Sequence, residues 1–232
     1  LSGETISTVY YSPNLNKTVI GYQNGLVIVV NEKDKSVYKA VGIIQKQIPD
    51  NVKKINSFFE HNGILYISCL FGIVQFNLNT NEFGDTYFLG STINDYQEVL
   101  QTTVLSNEIY AVTRGLLTNP NLNDYSQWQV FEGGYYNGIA VINNQLVASG
   151  TNNILYKFNG NVSSSFFVTN KTTLNFKVYN NNLIVTNADN VYVFKSWKEK
   201  IPHFELKKGL SLSQILIPTT TTIAYTSILN VL

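Results

Sequence analysis

Few residues in this chain have the types and spacing that catalysis requires. His61 and His203 are the two histidines. Neither sits in an H-x-x-x-H pattern or beside a carboxylate cluster, so no metal site is predicted. His61 precedes Asn62-Gly63 and reads as a turn residue, and His203 follows Pro202 in an outer-strand region. Cys69 is the single cysteine, which rules out an internal disulfide. It lies in the apolar run Ile64 to Leu70 and is predicted to be a small buried hydrophobe rather than a nucleophile. There is no G-x-S-x-G elbow, D-x-D-x-D calcium loop or G-x-G-x-x-G phosphate loop. A Ser-His-Asp triad needs only convergence in space, so sequence alone leaves that arrangement open. The acidic turn Glu32-Lys33-Asp34-Lys35 is expected to be a solvated hairpin tip. The expectation is a non-enzymatic chain without a cofactor.

One segment looks more like a site. Arg114 is the lone arginine, and it is followed by Asn119, Asn121, Asp124, Tyr125 and Trp128. These residues interrupt an otherwise regular pattern with a longer loop, and long loops on rigid scaffolds often bind ligands. Amides with aromatic rings could hold a sugar or a peptide. The competing reading, which we favour, packs Trp128 between sheets and leaves the Asn-rich loop as a linker.

The elements that would position these residues repeat. A first Asn/Gly-type turn falls at Asn14-Leu15-Asn16, Asn62-Gly63, Ser106-Asn107, Asn143-Asn144 and Asn180-Asn181, with a sixth at Pro218-Thr219. A second falls at Asn24-Gly25, Phe71-Gly72, Arg114-Gly115, Asn152-Asn153 and Asp189-Asn190. Both series step by about 37 to 47 residues, the spacing of propeller blades. Tight hairpin turns demand positive φ, which Gly and Asn tolerate best. The intervening runs, such as Leu26-Val27-Ile28-Val29-Val30, are apolar on both faces, as expected of a sheet covered on two sides. Helical periodicity is nearly absent, and the best helix candidate is the short stretch Ser196 to Lys200. A β-sandwich would not carry one two-turn signature five times, and a β-helix would repeat at about 20 to 30 residues.

The predicted fold is therefore all-β. It is a β-propeller of five four-stranded antiparallel blades, over about 4–50, 51–95, 96–134, 135–170 and 171–208, with a partial sixth over 209–232. One or two further blades would close a ring, and the chain reads as a fragment of something longer.

Composition narrows the partners. The formal net charge is +1 and charged residues make up 13%, against roughly 25% in average proteins. Neither nucleic acid nor an anionic membrane is favoured by such a surface. No apolar run approaches the roughly 20 residues of a membrane helix, and no signal peptide is visible. Three N-x-[ST] sequons, at Asn16, Asn161 and Asn170, are expected by chance in so Asn-rich a chain.

The blade sequences resemble the N-terminal propeller of the PorZ-type surface proteins of the type IX secretion system in Bacteroidota, and the related two-component regulator propeller repeats. The stretches that carry the likeness are Leu1 to Tyr11, Val19 to Val27, Ile55 to Phe59, Leu70 to Leu78 and Asn119 to Trp128. These are signatures of the fold, and no functional residue is carried over from the family. The resemblance implies a cell-surface or periplasmic, outer-membrane-associated scaffold. Its partners would be other secretion-system surface proteins and surface polysaccharide, without direct membrane insertion. The alternative it implies is the periplasmic propeller of a hybrid two-component regulator that senses an oligosaccharide. A propeller glycosidase or lyase ranks third.

Overall fold

The computed structural model describes residues 4–89, 96–113, 115–120, 127–179, 181–196 and 199–205. Five four-stranded sheets follow one another along the chain, each a simple antiparallel meander. Blade 1 is β1 (Ile6–Ser12), β2 (Lys17–Tyr22), β3 (Val27–Asn31) and β4 (Val37–Ala40). Blade 2 is β5 (Ile55–His61), β6 (Ile64–Cys69), β7 (Gly72–Asn77) and β8 (Glu82–Tyr87). Blade 3 is β9 (Gln101–Leu105), β10 (Glu108–Val112), β11 (Leu116–Asn119) and β12 (Gln129–Glu132). Blade 4 is β13 (Tyr136–Ile142), β14 (Gln145–Gly150), β15 (Ile154–Asn159) and β16 (Val162–Val168). Blade 5 is β17 (Asn175–Tyr179), β18 (Asn182–Thr186), β19 (Asn190–Ser196) and β20 (Glu199–Glu205). The first strand of each blade touches the first strand of the next, so β1, β5, β9, β13 and β17 form the inner wall of a propeller.

The turns follow the residue choices. Asn62 and Gly63 take φ of 53° and 77°, Ser106 and Asn107 take 50° and 68°, and Asn143 and Asn144 take 50° and 58°. Two consecutive positive φ values give the hairpin twist that matches the flanking strands. In blade 2 the second turn lies one residue earlier than predicted. Gly72 already pairs with Cys69, leaving Leu70-Phe71 as the turn. Gly72 has φ +142°, and a Cβ there would lie 2.0 Å from the carbonyl oxygen of Tyr87. Glycine is therefore required for the β7–β8 approach. In the candidate helix at Ser196 to Lys200, Ser196 ends β19 and Glu199 and Lys200 begin β20, with Ser196 paired to Glu199, while residues 197–198 lie outside the described residues. The ladder supplies hydrogen bonds that so short a helix could not. The partial sixth blade over 209–232 lies outside the described residues.

The core lies between blades rather than within one. Val19, Val27 and Val29 of blade 1 pack on Ile55, Leu65, Ile67 and Phe76 of blade 2. Tyr66, Ile73 and Tyr87 then meet Val104, Ile109 and Ala111 of blade 3. Tyr110, Val112 and Leu116 meet Ile139, Leu146 and Ala148 of blade 4. Ala140, Ile142, Val147 and Leu155 meet Phe176, Leu183, Val185 and Phe194 of blade 5. Each blade is a thin sheet whose two apolar faces leave water only when neighbours stack on it. Cys69 is wholly buried in the first of these layers, and burial pushes its thiol pKa far up.

Candidate axial binding site

The inner strands carry polar residues where they begin. Along β1 the register skips from Ile6 to Thr8, along β5 from Ile55 to Ser57, and along β13 from Tyr136 to Gly138. The skipped residues are Ser7, Asn56 and Asn137. A bulge leaves one residue off the ladder, bends the strand and redirects that side chain. Blades 3 and 5 have no bulge at this place, and Gln101 and Asn175 stand there as the first residues of β9 and β17.

These positions line one cavity of about 240 Å³ at the axis. All five blades contribute to it. Ser7 and Thr8 come from blade 1, Asn56 and Ser57 from blade 2, Gln101 from blade 3 and Asn137 from blade 4. Asn175 and Lys177 come from blade 5, with Thr173 just ahead of it.

The wall is held together by side-chain amides. Gln101 Nε2 donates to the Phe176 carbonyl at 2.7 Å, while its Oε1 accepts from the Ile139 N–H at 3.3 Å. One side chain thereby ties blades 3, 4 and 5. Gly138 makes room for this bridge, because a Cβ there would fall 2.6 Å from Phe176 Cβ and 3.0 Å from Gln101 Oε1. Asn56 Nδ2 donates to the Val99 carbonyl at 2.9 Å and to Glu98 Oε1 at 3.2 Å. Asn175 Nδ2 donates to Thr186 Oγ1 at 3.1 Å.

Three polar atoms in the same wall are left over. Ser57 Oγ, Asn137 Nδ2 and Thr173 Oγ1 are buried without a hydrogen-bond partner. Ser57 is 8% exposed and Thr173 is 6% exposed. A buried polar group left unpaired costs about 1–3 kcal/mol, which rearrangement of the side chain or an ordered water would offset. Lys177 is the one charged side chain among the described residues of the lining. Desolvation lowers its ammonium pKa, and solvent still reaches the side chain, which moderates the effect.

A second, shallower cleft of about 720 Å³ lies in the connections between blades. Ile44 to Asp50, Lys53 and Tyr96 line it. The Lys53 ammonium, itself buried, donates to the Ile44 carbonyl at 2.6 Å and to Asp50 Oδ1 at 2.8 Å. This connection runs from the end of β4 to the start of β5, so it lies at the same end of the blades as the axial cavity.

Of the residues singled out from sequence, Asn119 and Trp128 lie elsewhere. The β11–β12 connection falls at the other end of blade 3, the end of the β9–β10 turn. Asn119 is the last residue of β11 and is 2% exposed. Trp128 packs on the Tyr87 ring of blade 2 at a centroid distance of 6.2 Å, with its indole N–H buried and unpartnered. Arg114, Asn121, Asp124 and Tyr125 lie outside the described residues. His61 ends β5, with Nε2 3.1 Å from Asn62 Nδ2. His203 falls in the outermost strand β20. Among the described residues no three His, Cys, Asp or Glu side chains come together as metal ligands would.

Sequence reading missed the axial residues, although a signal was present. Ile6-Ser7, Ile55-Asn56, Leu100-Gln101, Tyr136-Asn137 and Leu174-Asn175 repeat an apolar residue followed by a hydroxyl or amide at the head of each inner strand.

The family described as "TSS9, PorZ, N-terminal beta-propeller domain" matches residues 1–129. No curated protein matches the chain. Among solved structures it is similar to PorZ, a surface component of the type-IX secretion system of Porphyromonas gingivalis, with 16% identity and a TM-score of 0.74. That match covers 89% of this chain and 28% of PorZ, so the chain spans little more than a quarter of that relative. The extracellular domain of a putative one-component system from B. thetaiotaomicron aligns at 12% identity and a TM-score of 0.59, over 88% of this chain and 28% of that one. The β-propeller domain of Cps50 (Swd1) from Myceliophteria thermophila aligns at 11% identity and a TM-score of 0.65, over 84% and 66%. Likeness at these identities establishes the fold.

Proposed function

The chain belongs to the family of PorZ N-terminal β-propeller domains, a family of the type IX secretion system, and from that membership we propose a non-catalytic interaction propeller at the bacterial cell surface. The family match over residues 1–129 carries the reading. Its partners are other surface proteins of that machinery, with surface polysaccharide as a further one. Recognition rests on shape and neutral hydrogen bonds, because charged residues are only 13% of the chain.

The end of the blades that carries the axial cavity and the blade 1–2 connection is the docking face. It combines concave surface with hydroxyls, amides and the partly buried apolar side chains Ile44, Ile48 and Tyr96. The opposite end carries the tight turns at Asn62-Gly63, Ser106-Asn107 and Asn143-Asn144.

Affinity capture with the full-length protein on intact cells, after cross-linking, tests this reading. Type IX surface components should be recovered, and Gln47→Arg with Gln45→Arg, both exposed in the cleft, should reduce their yield while the melting temperature holds. Recovery unchanged by these variants would move the docking face elsewhere. Empty capture together with tight binding of a defined oligosaccharide would replace the scaffold by a sensor. Turnover of a glycan by the purified protein would overturn the non-catalytic assignment.

A further inference from the structure

We propose that Asn159 is a site of spontaneous deamidation, where the folded chain converts a neutral turn at the tip of blade 4 into a carboxylate. The inference does not depend on which partner the propeller binds.

The chemistry starts from the sequence. Asn-Gly occurs at Asn24-Gly25, Asn62-Gly63, Asn137-Gly138 and Asn159-Gly160. In such a pair the backbone nitrogen of the glycine attacks Cγ of the asparagine side chain. A bond forms between that nitrogen and Cγ, the nitrogen gives up its proton, and Nδ2 leaves as ammonia. Water then opens the cyclic succinimide. Opening at Cγ yields aspartate, and opening at the backbone carbonyl yields isoaspartate, whose main chain runs through the former side chain. The net change consumes water and releases ammonia, with no oxidant or reductant. Glycine favours the attack because it has no side chain to block the approach and leaves the backbone free to turn.

The reaction needs a free glycine N–H, an unrestrained asparagine amide and a backbone that can rotate. The fold withholds these at two of the pairs. At Asn24 the side-chain oxygen accepts the Leu26 N–H at 3.0 Å, and the Gly25 N–H donates to the Tyr22 carbonyl at 3.2 Å. Gly138 lies in the β13–β14 ladder opposite Ser149 with Phe176 packed on it, so the Asn137 peptide turns only when the inner strand of blade 4 opens. Asn62 is an intermediate case. It is exposed, but its Nδ2 lies 3.1 Å from His61 Nε2, the Gly63 carbonyl accepts the Leu78 N–H at 3.0 Å, and a Cβ on Gly63 would meet Asn79 Nδ2 at 2.6 Å.

Asn159-Gly160 lacks these restraints. Both residues are exposed. Among the described residues neither the Asn159 side chain nor the Gly160 N–H has a hydrogen-bond partner. Gly160 has φ +57°, and beyond its chain neighbours a Cβ there would meet nothing within 4 Å. Asn159 is held by its pairing with Val162, the last rung before the β15–β16 turn. Terminal rungs open at almost no cost, whereas positions inside a sheet open with a large share of the global stability. The geometry therefore ranks Asn159 first, Asn62 second, and Asn24 and Asn137 last. The β15–β16 turn lies at the end of the blades away from the axial cavity, so the new charge leaves that cavity unaltered.

The test incubates the full chain at mildly alkaline pH, folded and in guanidinium chloride, and follows each Asn-Gly peptide by mass spectrometry. Labelling with an isoaspartyl methyltransferase counts the isoaspartate product. In the folded protein Asn159 should convert at least about tenfold faster than Asn24 and Asn137. In denaturant the rates should draw together, because the dipeptide alone then acts. Asn159→Gln should suppress conversion at that position and leave the other rates unchanged, with circular dichroism confirming that the variant is folded. Asn24 or Asn137 keeping pace with Asn159 in the folded protein would overturn the proposal. So would Asn62 outrunning Asn159, or an Asn159 that stays intact while the chain is folded.

Discussion

Replacing Gly138 by alanine should loosen the axial ends of blades 3, 4 and 5 together. The new Cβ falls 2.6 Å from Phe176 Cβ and 3.0 Å from Gln101 Oε1. The amide can swing away, but it then abandons the Ile139 N–H and the Phe176 carbonyl, which it joins at 3.3 and 2.7 Å. Phe176 Cβ cannot swing, because it is bonded to the β17 backbone and its ring is 2% exposed in the blade 4–5 core. Overpacking of this kind costs about 1–3 kcal/mol. Two lost hydrogen bonds add about 1 kcal/mol each, less what water recovers. The sum is about 2–4 kcal/mol. At about 2–4 °C per kcal/mol for a chain of this size, the melting temperature should fall by about 5–15 °C. Urea and thermal unfolding followed by circular dichroism would measure it, alongside Gln101→Ala and the double variant. Because both substitutions act through one contact, the double variant should lose less than the two single losses added. A Gly138→Ala protein within about 0.5 kcal/mol of the parent would refute the account of Gly138 as space for the bridge.

Four further outcomes are expected. Gly72→Ala should lose about 2–5 kcal/mol in chemical denaturation, since it combines strain at φ +142° with a Cβ 2.0 Å from the Tyr87 carbonyl oxygen. Phe76→Ala should lose about 3–5 kcal/mol by the same assay, because Phe76 is 0% exposed and stacks edge-on with Phe83 at 5.0 Å. Cys69 should resist a thiol-reactive dye in the native protein and react as urea unfolds it, because burial raises its pKa and hides the sulfur. Finally, stability should fall as pH rises above 10. Burial raises the phenol of Tyr110 to about 12 and those of Tyr10, Tyr66, Tyr87 and Tyr136 as well, with neighbouring Glu108, Glu60 and Glu132 reinforcing Tyr110, Tyr10 and Tyr136. The unfolded chain then loses phenolic protons first, at about pH 10, which draws the equilibrium toward unfolding until the folded-state values are passed. A phenolate absorbance titration should therefore show these tyrosines ionising with the unfolding transition, and early ionisation in a still-folded protein would contradict it.

The blades were legible because local chemistry decided them. Asn62-Gly63 and Asn143-Asn144 adopt the positive φ values their residue types tolerate, and the apolar run Leu26 to Val29 is buried on both faces. The axial site was harder to read because it depends on a backbone irregularity. A regular period of two would send Ser7, Asn56 and Asn137 to one sheet face, whereas the bulges remove them from the ladder. The recurrence of a polar residue behind an apolar one at five strand starts shows only when the five inner strands are aligned on one another. The loop after β11 drew attention for its composition, yet Asn119 is buried at the end of β11 and Trp128 packs on the blade 2–3 core. An aromatic ring beside amides reads the same in sequence whether it faces solvent or a neighbouring sheet.

The geometry of a propeller explains why the polar residues gather at the axis at all. Each blade hydrogen-bonds its inner strand on one side only, and the other edge of that strand faces the axis. Backbone groups on this edge need partners from somewhere. In blade 5 the Phe176 carbonyl finds one in Gln101, and in blade 4 the Ile139 N–H finds one in the same side chain. Amides are suited to the task because a single group supplies both a donor and an acceptor without bringing a charge into the channel. Polar residues at the inner edge are thus required by the fold before any ligand is considered. The amides that bridge neighbouring blades therefore follow from the strand edges themselves, and Gln101, which serves blades 4 and 5 from blade 3, is the clearest case.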